Sequence, residues 1–133
     1  MLLQPKKIKY KKVKKGRLKK FSYKTNLSFG TIGLKSLESG LISARQIESA
    51  RQAISRKIKK KGKLWIKIFP NLPITKKPTE VRMGKGKGNV SHWVARVRGG
   101  SVIFEVCGVN TKTAFKAFKT GSAKLPVKTQ MFN

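Results

Sequence analysis

The stretch SARQIESARQAISRKIKKKG (residues 43–62) decides the fold, because it contains the clearest helix signal in the chain. Ser43, followed three residues later by Gln46, forms a capping box at its start. Three consecutive lysines and then Gly62 are predicted to end the helix. Apolar residues recur between these ends at helical spacing, and they are Ile47, Ala50, Ile54 and Ile58. We therefore expect an amphipathic helix with this stripe in the core.

The other face of this helix is basic. Arg45 and Arg56 project from it, opposite the apolar stripe. Arg51 falls within the angular range of the stripe, so it either extends along the edge of the core or reaches a phosphate. An ordinary solvated helix face explains the individual residues equally well.

Several β-type segments surround the helix. Residues 27–37 and LWIKIF (64–69) alternate in polarity and predict strands, the first of them irregular. Three prolines within residues 70–78 indicate a connector. Residues 90–97 and 101–109 flank Arg-Gly-Gly and together predict a β-hairpin.

A second helix is predicted over residues 111–124, with Asn110 as its N-cap. Pro126 stops it, and the following VKTQ is expected to return to the sheet. The pattern as a whole predicts an α+β fold in which two helices cover one face of a mostly antiparallel sheet. We expect residues 27–133 to form this single domain.

Charge is the strongest guide to function. The chain has 33 Lys and Arg against 4 acids in 133 residues, a net charge of +29. A small domain is not stabilised by such self-repulsion, so a polyanionic partner, nucleic acid, is expected to neutralise it. Residues 1–26 predict a basic, extended arm along phosphates, although a solvated tail has the same composition. Its candidate contacts are Lys6, Lys7, Lys9, Lys11, Lys12, Lys14, Lys15, Arg17, Lys19 and Lys20.

A glycine-lysine loop stands out between the connector and the predicted hairpin. It comprises Arg82, Met83, Gly84, Lys85, Gly86, Lys87, Gly88 and Asn89. Glycine at every second position lets a backbone approach a bulky surface, and the lysines add charge without crowding. The spacing fits neither a Walker A loop nor a dinucleotide fingerprint. Any flexible basic loop would look similar, but the flanking Arg82 and Asn89 favour a finger inserted among nucleic-acid backbones.

Catalysis is not expected of this chain. His92 is the single histidine and Cys107 the single cysteine, and the four glutamates are scattered, so no catalytic set, metal site or cofactor motif is recognised. No small-molecule substrate and no membrane span are expected. The competing hypothesis is a free-standing, histone-like protein that compacts nucleic acid, and an RNA-modifying enzyme is a weaker third.

Several segments together resemble one family. They are MLLQPKK…KKGR, SARQIESAR, LWIKIFPNLPITKKP, RMGKGKGN, GSVIFEVCGV and AKLPVKTQ, which cover nearly the whole chain in order. They are similar to the ribosomal protein L-sixteen family of the bacterial-type large subunit. The resemblance implies an α/β-hammerhead-type fold and an architectural, assembly-promoting role without chemistry. It implies a position beside the peptidyl-transferase region and the A-site tRNA corridor.

The resemblance also implies partners for particular residues. Large-subunit rRNA would surround the stretch from Lys6 to Arg17, and A-site and P-site tRNA would lie near residues 82–89, beside neighbouring ribosomal proteins. Arg82 occupies the position of an arginine that is hydroxylated in some bacterial relatives. In residues 18–26 and at the start of the second helix, the sequence departs from the one usual in bacterial relatives. The resemblance therefore gives less support to contacts inferred for these two segments.

The resemblance bears on the compartment as well. The Lys, Ile and Phe content suggests an AT-biased genome, and KPTEVRMGKGKGN is similar to mitochondrion-encoded versions in plants and algae. A mitochondrial ribosome is therefore the expected location, with the plastid or the bacterial cytoplasm as alternatives.

Overall fold

The computed structural model describes residues 4–18, 26–59 and 61–133. Seven strands and two helices follow one another in these ranges. Their bounds are β1 Ile32–Ser36, β2 Gly40–Ser43, α1 Ala44–Ile58, β3 Lys63–Ile66, β4 Leu72–Lys76, β5 Asn89–Val97, β6 Val102–Cys107, α2 Thr111–Ser122 and β7 Thr129–Phe132. The α+β fold is confirmed.

The strands form two antiparallel sheets rather than one. The larger sheet has the order β3-β6-β1-β7, and the smaller has the order β2-β5-β4. Both helices and both sheets contribute to one apolar core. The members that lie at 0% exposure include Ile42, Ile47, Ile54, Val97, Ile103, Phe104 and Ala117. α1 packs on β2 and β5 of the smaller sheet, α2 packs on β1 and β7 of the larger sheet, and the two helices pack on each other.

The start of α1 follows the sequence closely. Ser43 accepts a hydrogen bond from the backbone N–H of Gln46 at 3.3 Å, and the Gln46 side chain accepts one from the Ser43 N–H at 2.9 Å. This confirms the capping box, and the predicted apolar stripe is buried. The predicted end was wrong: Lys59 is the C-cap, in a left-handed conformation with φ of 51°. A Cβ on Gly62 would lie 2.5 Å from the Cys107 carbonyl oxygen, so this glycine permits close packing instead.

The predicted β-hairpin was wrong. β5 pairs with β2 and β4, whereas β6 pairs with β1 and β3, so the turn at Arg98–Ser101 links the two sheets. Both edges of each strand are already occupied by partners that are distant in sequence. Gly100 stabilises this crossing, since its N–H donates to the Ser36 carbonyl oxygen at 2.6 Å.

The proline-rich connector contains an unexpected strand, β4. Pro73 lies opposite Trp93 within it. β4 is an edge strand, where a residue without an N–H is tolerated on the unpaired side. The segment predicted as one irregular strand over residues 27–37 contains only β1, and β2 follows it as a further strand. The second helix, with Asn110 as N-cap, and the return of the chain in β7 are confirmed.

Candidate nucleic-acid interface

Most described residues of the predicted arm are exposed, and Pro5 and Leu18 are half-buried. Residues 4–18 contain no helix or strand. Eight cations there are solvent-exposed, and they are Lys6, Lys7, Lys9, Lys11, Lys12, Lys14, Lys15 and Arg17. Lys19 and Lys20, predicted as further contacts, lie outside the described residues. Residues 4–18 contain no acid that could neutralise these cations.

This segment contacts the glycine-lysine loop. The Lys12 ammonium donates to the Lys87 carbonyl oxygen at 2.8 Å, and the Lys87 ammonium donates to the Val13 carbonyl oxygen at 2.7 Å. Each lysine thus binds backbone of the other segment, which lies 74 or 75 residues away in sequence. Two regions that the sequence predicts as separate sites therefore form one surface.

Arg96 of β5 holds the same segment at a second point. Its guanidinium Nη2 donates to the Lys14 carbonyl oxygen at 3.1 Å and also to that of Lys15. Gly16 follows with a φ of +64°, and a Cβ there would lie 3.5 Å from Nη2 of Arg96. Arg96 was not predicted as a site residue, because nothing in a strand sequence indicates that one exposed arginine holds a distant segment. The basic segment therefore lies against the β2-β5-β4 sheet.

Glycines shape the loop for two different reasons. Gly84 and Gly86 have φ of +106° and +80°, values that favour glycine, with no neighbour within 4 Å of a Cβ. A Cβ on Gly88 would lie 2.8 Å from the Lys76 carbonyl oxygen, so this position allows close approach to β4. The Lys77 ammonium donates to the Gly84 carbonyl oxygen and braces the turn. The loop is thus a shaped projection from the edge of the smaller sheet.

The tip of this projection is accessible. Arg82, Met83, Gly84, Lys85, Gly86, Lys87 and Asn89 are exposed, and Gly88 is half-buried. Met83 has 99% of its surface exposed, the largest value among the large apolar side chains of the described residues. An apolar tip between cations can slide between the sugars or bases of a nucleic acid while the cations meet phosphates.

The three arginines of α1 differ from one another. Arg45 and Arg56 are exposed, as predicted for a basic face. Arg51 instead makes two hydrogen bonds to the Glu48 carboxylate, at 2.7 and 2.9 Å. The Arg51 guanidinium is the main reason that the pKa of Glu48 is lowered from 4.5 to about 2. Arg51 therefore presents a neutralised pair to its surroundings rather than a free positive charge.

A buried carboxylate organises the outer face of the larger sheet. Glu105 of β6 is 0% exposed, and its carboxylate accepts hydrogen bonds from the backbone N–H groups of Ser28, Phe29 and Gly30. The Lys67 ammonium lies 3.7 Å from it. Burial raises the pKa of Glu105, but the three N–H donors and Lys67 outweigh it, so that the pKa lies below its ordinary value. This residue was not recognised in the sequence, because its partners are 75 to 77 residues away.

The residues considered for chemistry are not assembled into a site. His92 is exposed, with Ser91 Oγ 3.3 Å from its Nδ1. Among the described residues, no group of three or more His, Cys, Asp or Glu could hold a metal ion. No helix in the described ranges is long and apolar enough to cross a membrane.

Comparison with known proteins gives the family. The family model described as "Ribosomal protein L16p/L10e" matches residues 5–132. The chain belongs to this family. It is a structural ribosomal component and not an enzyme, and the resemblance noted in the sequence is confirmed.

Individual relatives agree with this assignment. The "Large ribosomal subunit protein uL16" of Blochmanniella pennsylvanica is 53% identical over 131 residues, covering 98% of each chain. The protein of the same name from Buchnera aphidicola is 53% identical over 132 residues, covering 99% of this chain and 97% of its own. Both relatives are bacterial, which supports the bacterial alternative for the compartment, and the mitochondrial location stays a prediction.

Proposed function

We propose that this chain, as a structural constituent of the large ribosomal subunit, binds large-subunit rRNA through residues 4–18 and the basic face of α1. The observation that carries the proposal is a pair of hydrogen bonds between the two segments: Lys12 donates to the Lys87 carbonyl oxygen, and Lys87 donates to the Val13 carbonyl oxygen. They hold two basic segments side by side on one accessible surface. Such a surface releases counterions from RNA along a continuous path instead of at scattered points.

Salt dependence of rRNA binding tests this proposal. The affinity of the purified chain for a large-subunit rRNA fragment is measured from low to high salt. Replacing the seven lysines between Lys6 and Lys15 by Met should flatten the slope of log affinity against log salt by about 0.7–0.9 for each phosphate that is no longer neutralised. The control replaces Lys112, Lys116 and Lys119 on the exposed side of α2 and should change the slope less per lysine. An unchanged slope in the seven-lysine variant would contradict the proposal.

We infer further that the loop at residues 82–89 faces A-site and P-site tRNA near the peptidyl-transferase region. Its exposed tip and its attachment to the basic segment support this inference. Arg82→Ala should then impair tRNA accommodation more than subunit assembly, measured as A-site tRNA binding and as the yield of large subunits from the same cells. The matched control is Lys85→Met, which removes one positive charge from the same loop and leaves Arg82 in place. Equal loss of assembly and accommodation would argue against a tRNA-facing role.

Stable binding to rRNA and to neighbouring large-subunit proteins also distinguishes a ribosomal constituent from a protein that compacts nucleic acid. A ribosomal constituent stays on the large particle through a moderate salt wash, whereas a compacting protein sediments with the nucleoid. The same fractionation, applied to the cells that express the chain, tests the compartment. Sedimentation with a bacterial large subunit would support the bacterial cytoplasm, and sedimentation with an organellar large subunit would support the mitochondrion.

A further inference from the structure

Phe29 is a well-placed but exposed aromatic side chain. It leaves 62% of its surface accessible, although its ring stacks on Trp65 with centroids 6.1 Å apart and planes inclined by 23°. The Lys67 ammonium lies 4.5 Å from the centroid of the Phe29 ring. Trp65 lies in β3, and Lys67 directly follows the end of that strand. We call Phe29, Trp65 and Lys67 the Phe29 platform.

The backbone beneath this platform is held in place by Glu105. The Phe29 N–H donates to the buried carboxylate at 2.7 Å, and the Gly30 N–H donates at 2.9 Å. A Cβ on Gly30 would lie 2.9 Å from backbone atoms of Val106, so the segment is packed tightly on β6. The exposure of Phe29 is therefore a property of an ordered segment, with its ring oriented in advance.

We propose that the Phe29 platform stacks one unpaired nucleobase of rRNA. The proposal rests on the rRNA-binding function proposed above and adds the type of contact. An aromatic ring oriented in advance offers a π-face to any base at little entropic cost.

The charge around the platform favours RNA over an apolar side chain of a neighbouring protein. The exposed Lys63 lies two residues before Trp65 in β3, on a chain with a net charge of +29. Lys63 can meet a phosphate beside the stacked base. An apolar protein partner would have to leave it without a counter-charge.

The test uses two eight-nucleotide RNAs with the same number of phosphates, an oligoadenylate and an abasic oligomer, bound to the full chain at fixed salt. Phe29→Leu should weaken oligoadenylate binding by about 5- to 100-fold and leave abasic binding unchanged, since stacking is removed and charge is kept. Phe29→Trp should restore oligoadenylate binding. Phe115→Leu, at a similarly exposed phenylalanine of α2 (54% exposed), should have no effect.

Each other outcome overturns the proposal in a distinguishable way. If Phe29→Leu binds both oligomers as the unaltered chain does, the platform takes no base, and a protein side chain becomes its occupant. If both oligomers are weakened equally, Phe29 acts through folding of the chain. If the unaltered chain binds neither oligomer nor the rRNA fragment, the proposed function fails together with the platform. Normal salt-dependent rRNA binding without the Phe29 effect overturns the platform alone.

Discussion

Lys12 and Lys87 exchange hydrogen bonds with each other's backbone segment, although both carry the same charge. The Lys12 ammonium reaches the Lys87 carbonyl oxygen at 2.8 Å, and the Lys87 ammonium reaches the carbonyl oxygen next to Lys12, that of Val13, at 2.7 Å. Each positive charge thus lies at a carbonyl oxygen of the other segment. The position of the loop depends in this way on the basic segment, and the position of the segment depends on the loop.

Removal of one of these donors should loosen the loop. Lys12→Met keeps most of the side-chain length and removes the ammonium, so the loop loses one of the two charge-assisted bonds to residues 12–13. Backbone amide order parameters of residues 84–88 should fall from about 0.8 towards about 0.6. Lys11→Met, which removes the same charge from the neighbouring exposed residue, should leave them unchanged. Equal loosening by both variants would show that net charge, and not this pair of hydrogen bonds, orders the loop.

Glu105→Gln should destabilise the fold by about 2–4 kcal/mol, because an amide cannot satisfy three backbone donors and the Lys67 ammonium equally well. The effect should depend on pH. The pKa of Glu105 is below 4.5 in the folded chain, so its stabilisation is complete above the unfolded pKa and is lost as pH falls through the folded value.

Urea denaturation of the unaltered chain and of the Glu105→Gln variant, carried out between pH 7 and pH 3, measures how the difference in stability depends on pH. The difference in free energy of unfolding should be largest at neutral pH and should shrink below about pH 4.5. Glu80→Gln, at an exposed glutamate, serves as the control for a change of one charge. A difference that does not vary with pH would show that the Glu105 carboxylate does not stabilise residues 28–30 through its charge.

Gly121→Ala should destabilise the protein even though alanine favours helices. A Cβ on Gly121 of α2 would lie 2.5 Å from Cγ1 of the buried Ile54 in α1. Because two Ile54 atoms lie within 2.7 Å of that Cβ, we expect a cost in the upper part of the range of about 1–3 kcal/mol for overpacking, more than the gain of about 1 kcal/mol in helix propensity. Thermal unfolding measures the loss of stability, and Ser122→Ala is the neighbouring control.

A double-mutant cycle checks the cause. In the background of Ile54→Ala, which removes the obstructing atoms, Gly121→Ala should become neutral or stabilising. Strict additivity of the two substitutions would show that the cost arises elsewhere.

Arg56→Met should weaken rRNA binding more than Arg51→Met does. Both changes remove one guanidinium from α1, but Arg51 is already paired with Glu48 at 2.7 Å, whereas Arg56 is exposed. The salt slope should fall by about 0.7–0.9 for Arg56→Met and by less for Arg51→Met. The reverse order would mean that RNA binding breaks the pair and recruits Arg51.

Features with local causes were predictable from sequence. The Ser43 capping box and the apolar stripe of α1 involve residues within one or a few helical turns, so their spacing is visible in the sequence. The same holds for the Asn110 cap of α2. The glycine-lysine loop was found for a similar reason, because its composition is unusual over eight consecutive residues.

Features with distant partners were not predictable. β5 and β6 look like a hairpin because only four residues separate them, yet strands far along the chain occupy their edges. The end of α1 depended on one lysine adopting a left-handed conformation, which residue type alone does not indicate. Arg96 and Glu105 were missed because each binds backbone groups more than 70 residues away, where no spacing rule applies.

The pairing of β7 with β1 has a consequence for biosynthesis. β1 ends at Ser36, but its neighbour β7 spans Thr129–Phe132 and leaves the translating ribosome after every other strand and helix described. The larger sheet is therefore completed only after translation has passed these residues. The basic residues 4–18 emerge earlier, but their contacts with Lys87 and Arg96 form only once those residues have emerged as well.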